Sequence, residues 1–134
     1  PEYWPQESGL DRLIKADKDF LNKSAWQAIA DKAPREVMRM LEIDATTADA
    51  SGGEPVFLVD GTPAGQVSSG AYSYSLGKSL AIAYLKTGLA GPGDSVHVAI
   101  LGQPHTARVL DRPPFDPDGL RLRERDVQVA MART

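Results

Sequence analysis

Residues 95–111 read SVHVAILGQPHTARVLD, two runs of alternating apolar residues on either side of a Gly-Gln-Pro break. This pattern predicts a β-hairpin that turns at residues 102–104. In a register that sets Leu101 opposite His105, apolar side chains fall on both faces: Val96, Val98 and Ile100 on one, and Ala99, Leu101, Ala107 and Val109 on the other. Two apolar faces are typical of a curved, closed sheet, so the segment predicts a small barrel.

Other strand candidates precede this hairpin. Residues 37–43 alternate with period two, and residues 54–59 and 63–69 flank Asp60-Gly61, a strong hairpin signal. A two-residue turn there would set Phe57 opposite Ala64. Residues 80–85 are almost entirely apolar and predict a strand buried on both faces. We therefore expect a mainly β fold: a small closed or partly open antiparallel β-barrel of about six strands, preceded by one or two short α-helices.

The N-terminal part is predicted to be a helical lead-in. Trp26, Ile29, Ala30 and Ala33 follow helical spacing, Ser24 and Gln27 match a capping box, and Pro34 is expected to end the helix. The predicted division is residues 1–34 as the lead-in, residues 35–117 as the barrel and residues 118–134 as a closing segment and tail.

Composition sets limits on the function. The 134 residues are 42% hydrophobic and 25% charged, with a net charge of −3, which fits one folded domain and argues against a nucleic-acid-binding face. No apolar run approaches the roughly 20 residues of a membrane-spanning helix. The absence of cysteine excludes disulfides and thiolate metal sites and favours a reducing, cytoplasmic setting.

The residues by themselves predict no catalytic constellation and no metal site. Gly77-Lys78-Ser79 is similar to the end of a phosphate-binding loop, but the preceding glycine is misplaced and a strand, not a helix, is expected to follow. In the register above, His97 and His105 lie roughly 13 Å apart, too far to share one metal ion. No nucleophile elbow and no acidic pair in an apolar setting is found.

A resemblance adds to this interpretation. Residues 60–85, DGTPAGQVSSGAYSYSLGKSLAIAYL, resemble the C-terminal barrel of the aminomethyltransferase family, typified by the glycine cleavage T-protein. The matching positions are Asp60, Gly61, Gly65, Val67, Ser69, Gly70, Ser73, Leu76, Gly77, Lys78, Ala81, Ala83 and Tyr84. The close of the chain, Pro114-Phe115-Asp116-Pro117 with Arg121-Leu122-Arg123, is most similar to the variety fused to dimethylglycine and sarcosine dehydrogenases and oxidases. The family usually has glycine at Asn22 and often proline at Tyr74, and the second departure also favours the demethylating variety.

The resemblance implies a function and a set of site residues. Family members pass a one-carbon unit to tetrahydrofolate in a cavity shared by three domains, and most folate contacts lie in the first two. The isolated barrel is then expected to be inactive, with no catalytic residues of its own. Ser69, Tyr72 and Ser73 would face the domain junction, and Arg121 or Arg123 would meet the acidic glutamyl tail of the folate.

The implied cofactor is tetrahydrofolate in the intact enzyme, with FAD allowed in a separate domain. The implied partners are the remaining aminomethyltransferase domains, in cis or in trans. Two alternatives stay open: a stand-alone, non-catalytic barrel that binds a partner chain or a small ligand, consistent with Pro1 following a removed initiator methionine, and a remnant without any ligand. An in-frame stop codon upstream would favour the first, and the absence of any thermal shift with folates, dimethylglycine and sarcosine would favour the second.

Overall fold

The computed structural model describes residues 3–121 and residue 123. Six antiparallel strands form a closed barrel in the order β1-β4-β3-β2-β5-β6. They are β1 (Glu36–Ile43), β2 (Pro55–Leu58), β3 (Pro63–Ser73), β4 (Lys78–Lys86), β5 (Ser95–Ile100) and β6 (Gln103–Leu110). Pairing of β6 with β1 closes the cylinder. The predicted fold class is therefore confirmed. No helix in the described part of the chain is long and apolar enough to cross a bilayer.

The interior is filled by small and branched apolar side chains from all six strands. The largest fully buried ones are Leu41, Leu85, Val56, Val96, Val98 and Val109. Alanines from the loop between β1 and β2 pack against this core; Ala50 is sealed, and Ala45 and Ala48 are partly buried. The alternation of buried and partly exposed residues along β4 and β5 is that of a barrel wall with a filled interior.

The β5–β6 hairpin exists, but its predicted register is wrong. Val98 lies opposite His105, not Arg108, and the turn is the pair Leu101-Gly102, with φ of 48° and 78°. Two successive positive φ values belong to a type I′ turn, which leucine rarely enters, so the sequence pointed to the wrong turn residues. In the observed register Ala107 and Val109 share the interior with Val96 and Val98. The predicted barrel is therefore confirmed, although the assignment of side chains to the two faces from which it was predicted is wrong.

The β2–β3 hairpin is also confirmed with a different turn. The backbone N–H of Leu58 donates to the oxygen of Thr62 at 2.8 Å, and that of Gly61 donates to the oxygen of Leu58 at 2.9 Å. The loop thus has three residues rather than two, and Phe57 lies opposite Pro63, not Ala64. Such a loop is the next most common hairpin connection after the two-residue turns.

The lead-in contains the α-helix α1 (Lys23–Ala30) and a 3-10 turn at Asp11–Leu13. Trp26 and Ile29 are half-buried, as their spacing predicts. The predicted capping box is wrong: the N-cap is Asn22, with φ of 63° and no side-chain capping hydrogen bond. Asparagine tolerates this left-handed conformation better than most residues, which explains how it stands where the family usually has glycine. The helix ends at Ala30, before Pro34 could end it.

Glu7 attaches the lead-in to the barrel. Its carboxylate is fully buried and accepts hydrogen bonds from the backbone N–H of Trp4 (2.8 Å) and from the backbone N–H, Nε and Nη2 of Arg35 (3.0, 2.8 and 2.8 Å). The Arg35 hydrogen bonds lower the pKa of Glu7 from 4.5 to about 2, against the opposing effect of burial. The backbone oxygen of Glu7 also accepts from the N–H of Met38 at 2.8 Å, so the lead-in occupies an edge of β1.

Candidate binding face

The outward surface of four neighbouring strands, β6, β1, β4 and β3, carries an apolar patch with charged residues beside it. Cross-strand pairing aligns its residues in rows: Leu110, Met40, Ile82 and Ser69 in one, and Arg108, Glu42, Leu80 and Ala71 in the next. We call the residues Met40, Ala71, Leu80, Ile82 and Leu110 the apolar face. Leu80 and Ile82 are only half-buried. Strand β4 is thus sealed on its inner side alone, and the prediction of burial on both sides is wrong for the chain as it stands.

Three of the predicted site residues lie together at the edge of the apolar face. Ser69, Tyr72 and Ser73 line a shallow cavity of about 400 Å³ with Met40, Gly70, Ala71, Leu80, Ala81 and Ile82. The pairing of Ser69 with Ile82 and of Ser73 with Lys78 puts both serines on the outward side of β3. A β-bulge between Val67 and Ser69 sets this orientation, because the extra residue reverses the alternation along the strand. The cavity therefore offers an apolar floor with hydroxyl groups along one rim.

Tyr72 lies near the tip of the β3–β4 hairpin. Its ring contacts that of Tyr74 edge to face, with centroids 5.1 Å apart and an interplanar angle of 80°. Tyr74 is 90% exposed, so this aromatic pair projects from the barrel where another surface can cover it.

The other two predicted residues, Arg121 and Arg123, lie in the closing segment and are exposed. The Arg121 guanidinium lies 5.1 Å from the centroid of the Phe115 ring. The Asp116 carboxylate accepts hydrogen bonds from the backbone N–H groups of Leu120 and Arg121, at 2.8 and 3.2 Å, which fixes the start of this turn. Neither arginine is among the described residues that line the cavity beside Ser69. The remainder of the predicted tail, residue 122 and residues 124–134, lies outside the described residues.

A charged cleft of about 430 Å³ borders the apolar face, and sequence reasoning did not find it. Here the Lys78 ammonium lies 3.0 Å from the Glu42 carboxylate, and Arg108 lies opposite Glu42 on the next strand. These residues are distant in sequence and meet only through strand pairing, so no local motif marks them. Lys78 opens strand β4, which confirms that a strand and not a helix follows Gly77.

The two histidines lie on neighbouring strands but on different sides of the barrel wall. His105 lies opposite Val98, whereas His97 lies opposite Thr106, so the predicted separation along the strands is wrong. The His105 Nδ1 lies 3.4 Å from the backbone oxygen of Asp44. Within residues 3–121 and at residue 123, no group of three or more His, Asp or Glu side chains is arranged to hold a metal ion.

Comparisons with known proteins place these features in a family. Residues 37–116 match the sequence model described as the glycine cleavage T-protein C-terminal barrel domain. The mitochondrial dimethylglycine dehydrogenase of Rattus norvegicus is 37% identical over 111 residues, which are 81% of this chain and 13% of that protein. A probable aminomethyltransferase of Haloarcula marismortui is 32% identical over 112 residues, 84% of this chain and 31% of that protein.

A solved structure shows the same fold. The glycine cleavage system aminomethyltransferase T of Bartonella henselae superposes with a TM-score of 0.74 at 20% sequence identity, over 87% of this chain and 33% of that one. The chain thus spans between 13% and 31% of the length of the two curated relatives described above, and about a third of this structural neighbour.

Proposed function

Because the chain belongs to the glycine cleavage T-protein C-terminal barrel domain family, we propose that it is the barrel of a folate-dependent aminomethyltransferase-type protein. In this role it helps to enclose the cavity in which a one-carbon unit passes to tetrahydrofolate. The observation that carries the proposal is the match of residues 37–116 to the family, at 37% identity to a dimethylglycine dehydrogenase and 32% to a probable aminomethyltransferase.

The barrel's chemistry suits a wall better than a catalytic centre. The described ion pairs bind acid to base within the chain, as in Glu7 with Arg35 and Glu42 with Lys78, so they present no free acid–base pair to a substrate. The proposed transfer of a one-carbon unit passes through an iminium-like transition state. Stabilising that transition state requires fixed charges preorganised around it. The cavity beside Ser69 has an apolar floor and hydroxyl groups at its rim. That lining fits the edge of a flat aromatic ring, whereas recognition of a pterin by a carboxylate would have to come from other domains.

The proposal assigns roles to the five predicted residues. Ser69, Tyr72 and Ser73 face the domain junction from β3, and Arg121 and Arg123 approach the glutamyl tail of the folate. Ser69, Tyr72, Arg121 and Arg123 are exposed, whereas Ser73 is half-buried. A second domain or a ligand can therefore reach the four exposed residues without unfolding of the barrel, which supports the roles proposed for them.

Arginine substitutions test the tail contact. In the complete gene product, Arg121→Met with Arg123→Met is expected to weaken binding of polyglutamylated tetrahydrofolate about two- to fivefold, as for exposed charge pairs. Binding of tetrahydrofolate with its glutamyl tail removed should stay unchanged, and Arg12→Met, an exposed arginine in the lead-in, is the matched control. Equal affinities of the wild type, the double variant and the Arg12→Met control for polyglutamylated tetrahydrofolate would contradict the contact proposed for Arg121 and Arg123.

Turnover tests the proposed function itself. The complete gene product, incubated with tetrahydrofolate and dimethylglycine, sarcosine or an aminomethyl donor, is expected to form a one-carbon derivative of the folate. The 134-residue chain alone is expected to form none. Turnover by the isolated chain would contradict a non-catalytic barrel, and no turnover by the complete product with any donor would favour a stand-alone binding module.

We also propose a flavin in the complete protein and a location for that protein in the cell. The relatives from Rattus norvegicus, Homo sapiens and Mus musculus are dimethylglycine dehydrogenases, and FAD in a separate domain would supply the oxidation of the donor. The absorption spectrum of the purified complete product tests this directly. We also propose a cytoplasmic location, and cell fractionation tests it against a mitochondrial location, which is that of the rat, human and mouse dimethylglycine dehydrogenases.

A further inference from the structure

We propose that the apolar face, Met40, Ala71, Leu80, Ile82 and Leu110, is the surface on which the preceding aminomethyltransferase domain packs. This inference rests on the proposed function, which supplies such a domain in cis or in trans, and it adds the surface and the direction from which that domain approaches.

The apolar face has the composition of a protein interface. Its centre holds large apolar side chains on two adjacent strands, Met40 on β1 and Leu80 and Ile82 on β4, at outward positions of the barrel. Charged residues border it on one side, with Glu42 paired to Lys78, and serines of β3 border it on the other. An apolar centre inside a polar rim is the usual anatomy of a protein interface.

The lead-in already lies on the part of the barrel surface that adjoins the apolar face. The Tyr3 ring stacks on the Tyr84 ring, with centroids 3.9 Å apart and planes 15° apart, and the Ser8 hydroxyl lies 3.2 Å from that of Tyr84. Tyr84 is the next outward residue of β4 after Ile82. Since one residue spans at most about 3.5 Å, a domain joined shortly before Tyr3 is held close to the apolar face.

Hydrogen bonds and a ring contact hold the lead-in in a fixed position on the barrel. Glu7 is held by its four hydrogen bonds to Trp4 and Arg35, and its backbone oxygen is bonded to Met38 of β1. The Arg35 guanidinium also lies 4.9 Å from the centroid of the Trp4 ring. The orientation of a preceding domain is therefore set by the lead-in, which is anchored on β1 and β4. These are the two central strands of the proposed interface.

Cysteine labelling tests the proposal, because the chain has no cysteine of its own. Ile82→Cys places a thiol at the centre of the apolar face. Phe57→Cys is the matched control, since Phe57 is also a large, half-buried, outward residue but lies on β2, away from that face. Rates of maleimide labelling at each site are measured by mass spectrometry in the 134-residue chain and in the complete gene product together with any separately encoded aminomethyltransferase domains.

The expected result is a fall of at least about tenfold in the labelling rate at position 82 when the other domains are present, because the centre of an interface excludes water and reagent. The rate at position 57 should change less than about twofold. An unchanged rate at position 82, or protection at position 57 instead, would overturn the inference. Concentration-dependent protection of position 82 in the 134-residue chain alone would assign the face to a second copy and would also overturn it.

Folate binding in the same samples separates this inference from the proposed function. Protection at position 82 without any folate binding supports the interface and contradicts the folate role. Folate binding with position 82 still reactive supports the folate role and contradicts the interface.

Discussion

The buried carboxylate of Glu7 attaches the lead-in to the barrel, beside the surface proposed as a domain interface. It is 1% exposed and neutralised by Arg35, whose own side chain is 57% exposed. Burial of a carboxylate is unfavourable unless hydrogen bonds and an opposite charge replace its hydration. Sequence reasoning did not single out Glu7, because its partner is 28 residues away and the two meet only after the lead-in folds back on β1.

Replacing this carboxylate tests its contribution to stability. Glu7→Gln puts an amide nitrogen, which is a donor, among donors from Trp4 and Arg35, so some of these hydrogen bonds are lost. We expect the free energy of unfolding to fall by about 2 kcal/mol, a typical contribution of hydrogen bonds to a charged group. Glu42→Gln, which breaks the partly exposed pair with Lys78, is the control and should cost under about 1 kcal/mol. Equal losses in urea unfolding would contradict the role given to Glu7.

The same carboxylate predicts a pH dependence. The pKa of Glu7 is about 2 in the folded chain and 4.5 when unperturbed, so its stabilising effect is complete above pH 4.5. As the pH falls from 4.5 towards 2, the unfolded chain takes up the proton first and the effect is lost. Urea unfolding at several pH values should therefore show the wild-type and Glu7→Gln free energies converging across this window. If the difference between the wild-type and Glu7→Gln free energies of unfolding stayed constant down to pH 2, the lowered pKa of Glu7 would be contradicted.

At the scale of elements, period-two alternation predicted the strands but not their register. The register depends on which turn residues accept a positive φ, and Leu101 does so although leucine gives no such signal. The same limit applies at residues 58–62, where Asp60-Gly61 located the hairpin but not the length of its loop.

Strain at Leu101 gives a test of the β5–β6 turn. The side chain is 88% exposed, so its removal costs little apolar contact. Leu101→Asn is expected to raise the free energy of unfolding by about 1 kcal/mol, because asparagine accepts the left-handed conformation more readily. Leu101→Val should lower it, since β-branched residues are the least tolerant of positive φ. A loss of stability with asparagine, measured by urea unfolding, would show that the turn differs from the one described.

The close approach of β3 to β4 gives a second test at this scale. A Cβ on Gly65 would overlap the backbone oxygen of Tyr84, which cannot move without opening the sheet. Gly65→Ala should therefore cost about 3 kcal/mol or more. Gly91→Ala is the matched control, because nothing lies within 4 Å of its Cβ position, and it should be neutral or stabilise by up to about 1 kcal/mol. Similar thermal midpoints for the two variants would contradict the described packing.

For the whole molecule, the signature in residues 60–85 was sufficient to predict the barrel and its family, both of which are confirmed. It also pointed to Ser69, Tyr72 and Ser73, which the fold brings into one cavity. The apolar face and the charged cleft beside it could not be predicted, because both depend on which strands become neighbours: β1 pairs with β4 and β6 rather than with β2. The roles of Arg121 and Arg123 stay predictions.

We propose that this barrel forms one wall of a folate site whose other parts lie in further domains. Tetrahydrofolate is titrated by calorimetry into the 134-residue chain and into the complete gene product under the same conditions. Saturable binding is expected for the complete product, and no measurable heat of binding is expected for the isolated chain. Equally tight binding to both proteins would show that the barrel carries a complete folate site, contrary to the proposed function.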